Sequence, residues 1–224
     1  MEHALIALAA GSLALVGTHF ALSHLLRAPL VRTLGRGGFM VVYNAVAVAC
    51  IVWMWLAFGD APSADLGGSG QVGWIVATLM TLPALALFLG SLTGNPAFPA
   101  PGADKLAARD PSGVFAITRH PMMWGFALWA LSHLILWWSW RTVIVALAIL
   151  VLALAGAHLQ DRKKQALMGE AWRSWEAKTT YWPRWSKLLS VGPLLWLGAI
   201  VLWLGISWLH IFIGGIPAGI WRWF

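Results

Sequence analysis

The chain has 224 residues, 60% of them hydrophobic and only 10% charged, with a mean hydropathy of +0.75. That composition excludes a water-soluble domain, which needs a far larger share of charged surface, and the length leaves room for one unit, residues 1–224. The net charge of +7 is carried between hydrophobic runs, so it points to membrane topology and argues against nucleic-acid binding.

Six spans long enough for a bilayer can be drawn in chain order. The first, Ala4–Leu26, follows Met-Glu-His with no basic leader, and no Ala-x-Ala-like site comes after it. It is expected to be an uncleaved helix rather than a signal peptide. Arg27, Arg32 and Arg36 follow, and the second span is Phe39–Phe58. Asp60, Asp65 and a flexible Gly67-Gly68-Ser69-Gly70 connection lead to the third, Val72–Leu92.

The segment from Thr93 to Thr118 is rich in proline and glycine and is expected to be irregular, packed on the mouth of the bundle. The fourth span, Pro121–Trp138, is joined to the fifth, Thr142–Leu159, by Ser139-Trp140-Arg141 alone. So short a link predicts a tight antiparallel hairpin. Gln160–Thr179 places Trp172 and Trp175 three apart on one face, and predicts an amphipathic helix lying on the membrane surface. The sixth span is Leu189–Phe212, followed by a short exposed tail containing Gly214-Gly215 and Pro217.

Thirteen of the fifteen basic residues fall on one side of this arrangement, leaving Arg141 and Arg222 on the other. The positive-inside rule makes the basic side cytoplasmic and puts both termini on the non-cytoplasmic side. The expected architecture is an all-α integral membrane bundle of about six transmembrane helices.

Histidines inside these spans carry the functional signal, because an ionisable group at membrane depth is expensive and faces a bundle interior. His19 lies in the first span and His133 in the fourth, with small neighbours such as Gly17, Thr18, Ala130 and Ser132. Two imidazoles on different helices are what axial ligation of a haem iron requires. The alternative is that each histidine hydrogen-bonds a neighbouring helix. Their depths also differ, roughly 10 Å from the basic edge for His19 and nearer 18 Å for His133.

His24 points about 140° away from His19 on an ideal α-helix. At the start of the fourth span, Arg119 and His120 precede Pro121 at a helix N-terminus beside a basic loop, where a propionate, carboxylate or phosphate could sit. Helix start and interface anchoring explain the same residues. Asp161 and Glu170 are the acids near this edge able to orient a histidine or an arginine. Cys50 is the single cysteine, so no internal disulfide forms, and no Cys-x-x-Cys-His run is present for covalent haem.

Several segments together resemble the NnrU family of membrane proteins, including its plant and cyanobacterial relative, zeta-carotene isomerase. They are Gly17-Thr18-His19 with Ser23 and Arg27, Leu34-Gly35-Arg36-Gly37-Gly38-Phe39, Ile117 to Gly125, Leu131-Ser132-His133, Asp161-Arg162, Gly169-Glu170-Ala171-Trp172 and Lys178-Thr179-Thr180. The core of the resemblance covers about residues 4–185, leaving 189–212 as an extra C-terminal helix. For the isomerase branch it implies haem b held by His19 and His133; Arg119 and His120, at the cytoplasmic mouth, are then placed to hold its propionates. That branch carries a cysteine three residues before the second histidine, where this chain has Ala130.

More distantly, Arg119-His120-Pro121-Met122-Met123-Trp124-Gly125 is similar to the Arg-His-Pro motif of the isoprenylcysteine carboxyl methyltransferase superfamily. Met123 stands at that motif's tyrosine, and Glu170, Trp172 and Trp175 correspond to the superfamily's later glutamate and paired tyrosines.

Three functions follow as expectations. The first is a haem-binding membrane protein, isomerase-like or redox, acting on a lipid-soluble substrate in the bacterial inner membrane. The second is a non-enzymatic accessory protein for nitrogen-oxide respiration, working with other membrane proteins. The third is an S-adenosylmethionine-dependent membrane methyltransferase. The lipid bilayer is a partner in all three.

Overall fold

The computed structural model describes residues 2–67, 70–98, 101–136 and 139–224, and no strand occurs among them. Gly68 and Ser69 of the predicted flexible connection, and Trp138 at the end of the fourth predicted span, lie outside the described residues.

Five helices are long and apolar enough to cross a membrane, and a shorter apolar one accompanies them. Helix α1 is Glu2–Phe20, extended by a π-helical turn at Ala21–Leu25. Helix α2 is Arg27–Asp60, α3 is Gln71–Gly90 and α4 is the short Ala103–Ala108. Helix α5, Pro121–Leu136, is the short apolar one, followed by α6 at Trp140–Met168. Helices α7, Glu170–Lys178, and α8, Pro193–Gly214, complete the set.

The main packings run in a row: α2 on α1, α1 on α6, α6 on α5, α5 on α3, and α3 on α8. Small residues set the closest crossing. A Cβ on Gly125 of α5 would lie 2.7 Å from the Ala84 carbonyl oxygen of α3 and 3.2 Å from the Phe88 nitrogen. Without a strong hydrophobic drive between helices in lipid, such backbone approach is what holds neighbours together. Large apolar side chains on the outside, among them Val52, Trp55 and Leu197, face the bilayer.

Helices α5 and α6 pack against each other, and two of the three residues drawn as their link, Trp140 and Arg141, belong to the first turn of α6. Ser139 caps α6, its Oγ accepting from the Thr142 N–H at 3.3 Å. Arg141 donates to the carbonyls of Phe58 and Ala61 at 3.1 and 3.0 Å, closing the last turn of α2. A cation there complements the helix dipole.

Three local expectations are corrected. The basic stretch between the first two predicted spans is helical, and α2 begins at Arg27 with a kink at Gly35 (φ 69°, ψ 172°), a conformation suited to glycine. The tryptophans of α7 do not reach lipid. Trp172 and Trp175 are buried, packed in a cluster with Ala107, Phe115 and Ile117, because residues 103–117 fold over them. The C-terminal tail is not free either: Trp221 Nε1 donates to the Leu204 carbonyl at 3.0 Å, and Arg222 stacks 4.1 Å over the Trp74 ring.

Candidate functional site

The most densely bonded polar cluster is built where the basic ends of α5, α6 and α7 meet. Pro121 starts α5, which leaves Arg119 and His120 just ahead of its first turn. Helix α6 is 29 residues long, about 44 Å, so its last two turns project beyond a hydrocarbon core of roughly 30 Å. That projection brings Asp161 level with Arg119 and His120.

Asp161 receives both. Arg119 Nη2 lies 2.7 Å and Nε 3.0 Å from Oδ2, a two-pronged charge-assisted grip. His120 Nε2 lies 2.8 Å from Oδ1. Glu176 of α7 stands 3.8 Å from the same guanidinium.

Tyr181 closes the cluster. Its hydroxyl donates to the Leu154 carbonyl at 2.8 Å, and its ring lies 5.6 Å from that of His120 and 5.7 Å from the Arg119 guanidinium carbon. Burial pushes the Tyr181 phenol pKa up, and the neighbouring Asp161 carboxylate adds to the rise. Thr118 donates to the Tyr181 carbonyl at 2.8 Å, and Trp124 Nε1 does so at 2.9 Å. His120 Nδ1 is buried with no protein partner among the described residues.

Of the two acids singled out from sequence, Asp161 orients both Arg119 and His120. Glu170 is exposed and pairs with Arg173 at 3.0 Å. Arg119 and His120 are thus committed to a carboxylate of this chain.

His19 and His133 do not meet. His19 contacts the Tyr43 hydroxyl of α2, 2.7 Å from Nε2 and 2.8 Å from Nδ1, and Ser23 donates to the same hydroxyl at 3.3 Å. His133 Nδ1 donates to the Trp129 carbonyl of its own helix at 2.8 Å, its ring 4.2 Å from the Trp129 ring. Helix α6 stands between their two helices.

Depth separates them too. Phe20 packs at Gly156, five residues inside Asp161, whereas His133 is thirteen residues beyond His120. With Asp161 and His120 on one level, the two histidines differ by roughly 12 Å along the bundle. The cleft beside His19 has about 0 Å³ of space that a water-sized sphere could occupy, far below the 300 Å³ or so at which ligand pockets begin. These residues do not fit a haem ligated by both histidines.

A larger space lies at the same end as the Asp161 cluster, bounded by α3, α4, the Gly113–Ala116 turn and α7. It measures about 540 Å³. Leu89, Leu106, Val114 and Leu195 supply apolar walls, while Arg109 and Asp110 stand at the mouth. Gly90 lies beside it, and a Cβ there would force the Val114 and Leu195 side chains to shift. The spacing of motifs gave no sign of this cleft, since its walls come from four separate segments.

The fold and this site define a multi-pass helical membrane protein with a buried charge cluster and an amphiphilic cleft at one end. The family model described as NnrU protein matches residues 7–218, and the chain belongs to that family. The match takes in α8, so the family resemblance extends beyond Trp185 to the last membrane helix. No curated protein and no solved structure matches the chain.

Proposed function

We propose that this NnrU-family protein binds a lipid-soluble molecule with a polar end in the cleft between α3, α4 and α7. The observation that carries the reading is the cleft itself: about 540 Å³, apolar within, and charged at its mouth by Arg109 and Asp110. Pockets of that size suit small molecules, and the division of chemistry suits an apolar body with a polar head. The clasp of Asp161 on Arg119 and His120 holds α5 against α6 and positions α7, which supplies Trp175 to the cleft. In this reading the basic end faces the cytoplasm of a bacterial inner membrane, following the positive-inside rule.

Either an isomerase-type activity or an accessory role would rest on this binding step. Methyl transfer is less well supported, because Trp172 and Trp175 are packing residues and Arg119 is already paired. The test is organic extraction of detergent-purified protein with mass spectrometry, comparing wild type with Leu106→Trp, which fills the cleft. An apolar species recovered near one per chain from wild type and about tenfold less from the variant supports the reading. Equal recovery from both, or none from wild type, overturns it.

One observation favours a second reading, in which haem is held by a single histidine. The Trp129 carbonyl can only accept, so His133 carries its proton on Nδ1 and leaves Nε2 as the lone pair, the form a metal ligand needs. An absorption spectrum decides it: a haem band lost in His133→Ala and kept in His19→Ala supports single ligation, and a haem-free wild type removes it.

A further inference from the structure

A second concentration of charge lies on the far side of α6 from the cleft, where the π-helical turn after α1 meets the start of α2. The i→i+5 bonding of that turn, seen in the Leu26 N–H to Ala21 carbonyl bond of 2.8 Å, sets residues five apart nearly one above the other. His24, expected on the opposite side from His19, is thereby drawn toward its face. Lys163 lies two turns beyond Gly156, the α6 position beside Phe20, on the same face of that helix, and both histidines are within its electrostatic range. Arg27 is in range of Lys163 and of Lys164.

These groups are short of counter-charge. Among the described residues, no carboxylate forms an ion pair with Arg27, Lys163 or Lys164. Asp104 is the one acid felt by Lys164, whose ammonium is buried and donates to the carbonyls of Pro96 and Phe98 at 3.3 and 3.4 Å. Arg27 stacks 5.7 Å over the Phe39 ring, which holds the guanidinium beside the turn. Lys163 is partly buried and makes no hydrogen bond within the described chain. Cations gathered in this way repel one another unless an anion sits among them.

We propose that Arg27 and Lys163, with His19 and His24 beside them, form a phosphate site between α1, α2 and α6, occupied by the headgroup of an anionic phospholipid. Basic pockets between membrane helices at the headgroup level take such ligands. Leu25 and Leu26, both exposed beside the site, offer apolar surface to the acyl chains. The hydrogen-bonded trio of His19, Tyr43 and Ser23 adjoins it through Phe39, whose ring lies 5.9 Å from that of Tyr43 and carries the Arg27 guanidinium.

The experiment is native mass spectrometry of the full chain released from nanodiscs of mixed phosphatidylglycerol and phosphatidylcholine. The expected result is selective retention of one phosphatidylglycerol by wild type. Retention should fall on the order of thirtyfold in Arg27→Gln/Lys163→Gln, at roughly a factor of five per charge. It should recover in Arg27→Lys/Lys163→Arg, and stay unchanged in Arg32→Gln/Arg36→Gln, which removes two exposed charges at the same end.

Equal loss in both Gln pairs would reduce the effect to general interfacial charge and overturn the proposal. So would equal retention of the neutral lipid. Binding of inorganic phosphate by the detergent-purified protein, with no lipid preference in nanodiscs, would assign the site to a free anion and overturn the headgroup. The Lys/Arg variant guards against misfolding, since it restores charge on the same helices.

Discussion

At the scale of single residues, Asp161 has the largest predicted effect. Its carboxylate is the shared acceptor of a guanidinium and an imidazole that are both largely out of water. Removing one partner of a buried ionic cluster leaves the other charge without compensation. Asp161→Asn is expected to cost roughly 3 kcal/mol, seen as a lower apparent Tm in detergent. Glu170→Gln, at an exposed pair, should change it by about 0.5 kcal/mol or less.

Tyr181 supplies a pH test with a definite sign. Its phenol pKa is raised in the folded protein, first by burial and then by Asp161. The folded state therefore keeps the proton after the unfolded chain has released it, and the associated stability is lost as pH rises above 10.0. Wild type should lose more apparent Tm above that pH than Tyr181→Phe does. The same slope in both proteins would assign the alkaline loss elsewhere.

At the scale of elements, the α3–α5 crossing depends on a missing side chain. Gly125→Ala would drive its new Cβ to 2.7 Å from a backbone oxygen that cannot rotate away. The helices must separate, at about 1–3 kcal/mol. Gly156→Ala on α6 is the control, because its nearest neighbour is Phe20 Cε1 at 3.9 Å, an ordinary contact. Thermal melts of the two variants should differ by several degrees, with Gly125→Ala the lower.

Helix α7 shows how a periodicity can be read correctly and placed wrongly. The three-residue spacing of Trp172 and Trp175 does put them on one face of a helix. Whether that face meets lipid or protein depends on residues about sixty positions away, Ala107 and Phe115, which fold back to cover it. No local pattern carries that information. The π turn is a comparable case: ideal helical geometry separates His19 from His24, and a single turn of wider bonding draws His24 toward the side of His19.

At the scale of the whole molecule, the row of helices decides what the histidines can do. His19 belongs to the α1–α2 pair and His133 to the α5 side, with α6 between them, so one iron cannot take both as placed here. The basic end collects Arg27, Arg119, Lys163, Lys164 and Arg184, among others, and the positive-inside rule predicts its side. Single cysteines placed at Ser186 and at Ser63 in a Cys50→Ser background should react with an impermeant maleimide from opposite faces. Ser186 should react only when the cytoplasmic face is exposed.

Composition and hydropathy alone determined the all-helical membrane class, the approximate positions of the spans and the segregation of charge. Those properties come from a solvent that penalises every exposed peptide group and every charge at depth, and that penalty acts residue by residue. The Arg-His-Pro run and Asp161 were visible as candidates for the same reason: charged groups at span ends are few. Only the tertiary structure decided that Asp161 would grip both Arg119 and His120, that His19 and His133 would part, and that four distant segments would enclose a cleft. Those outcomes depend on which helix packs beside which, and the packing is chosen by shape across long sequence separations.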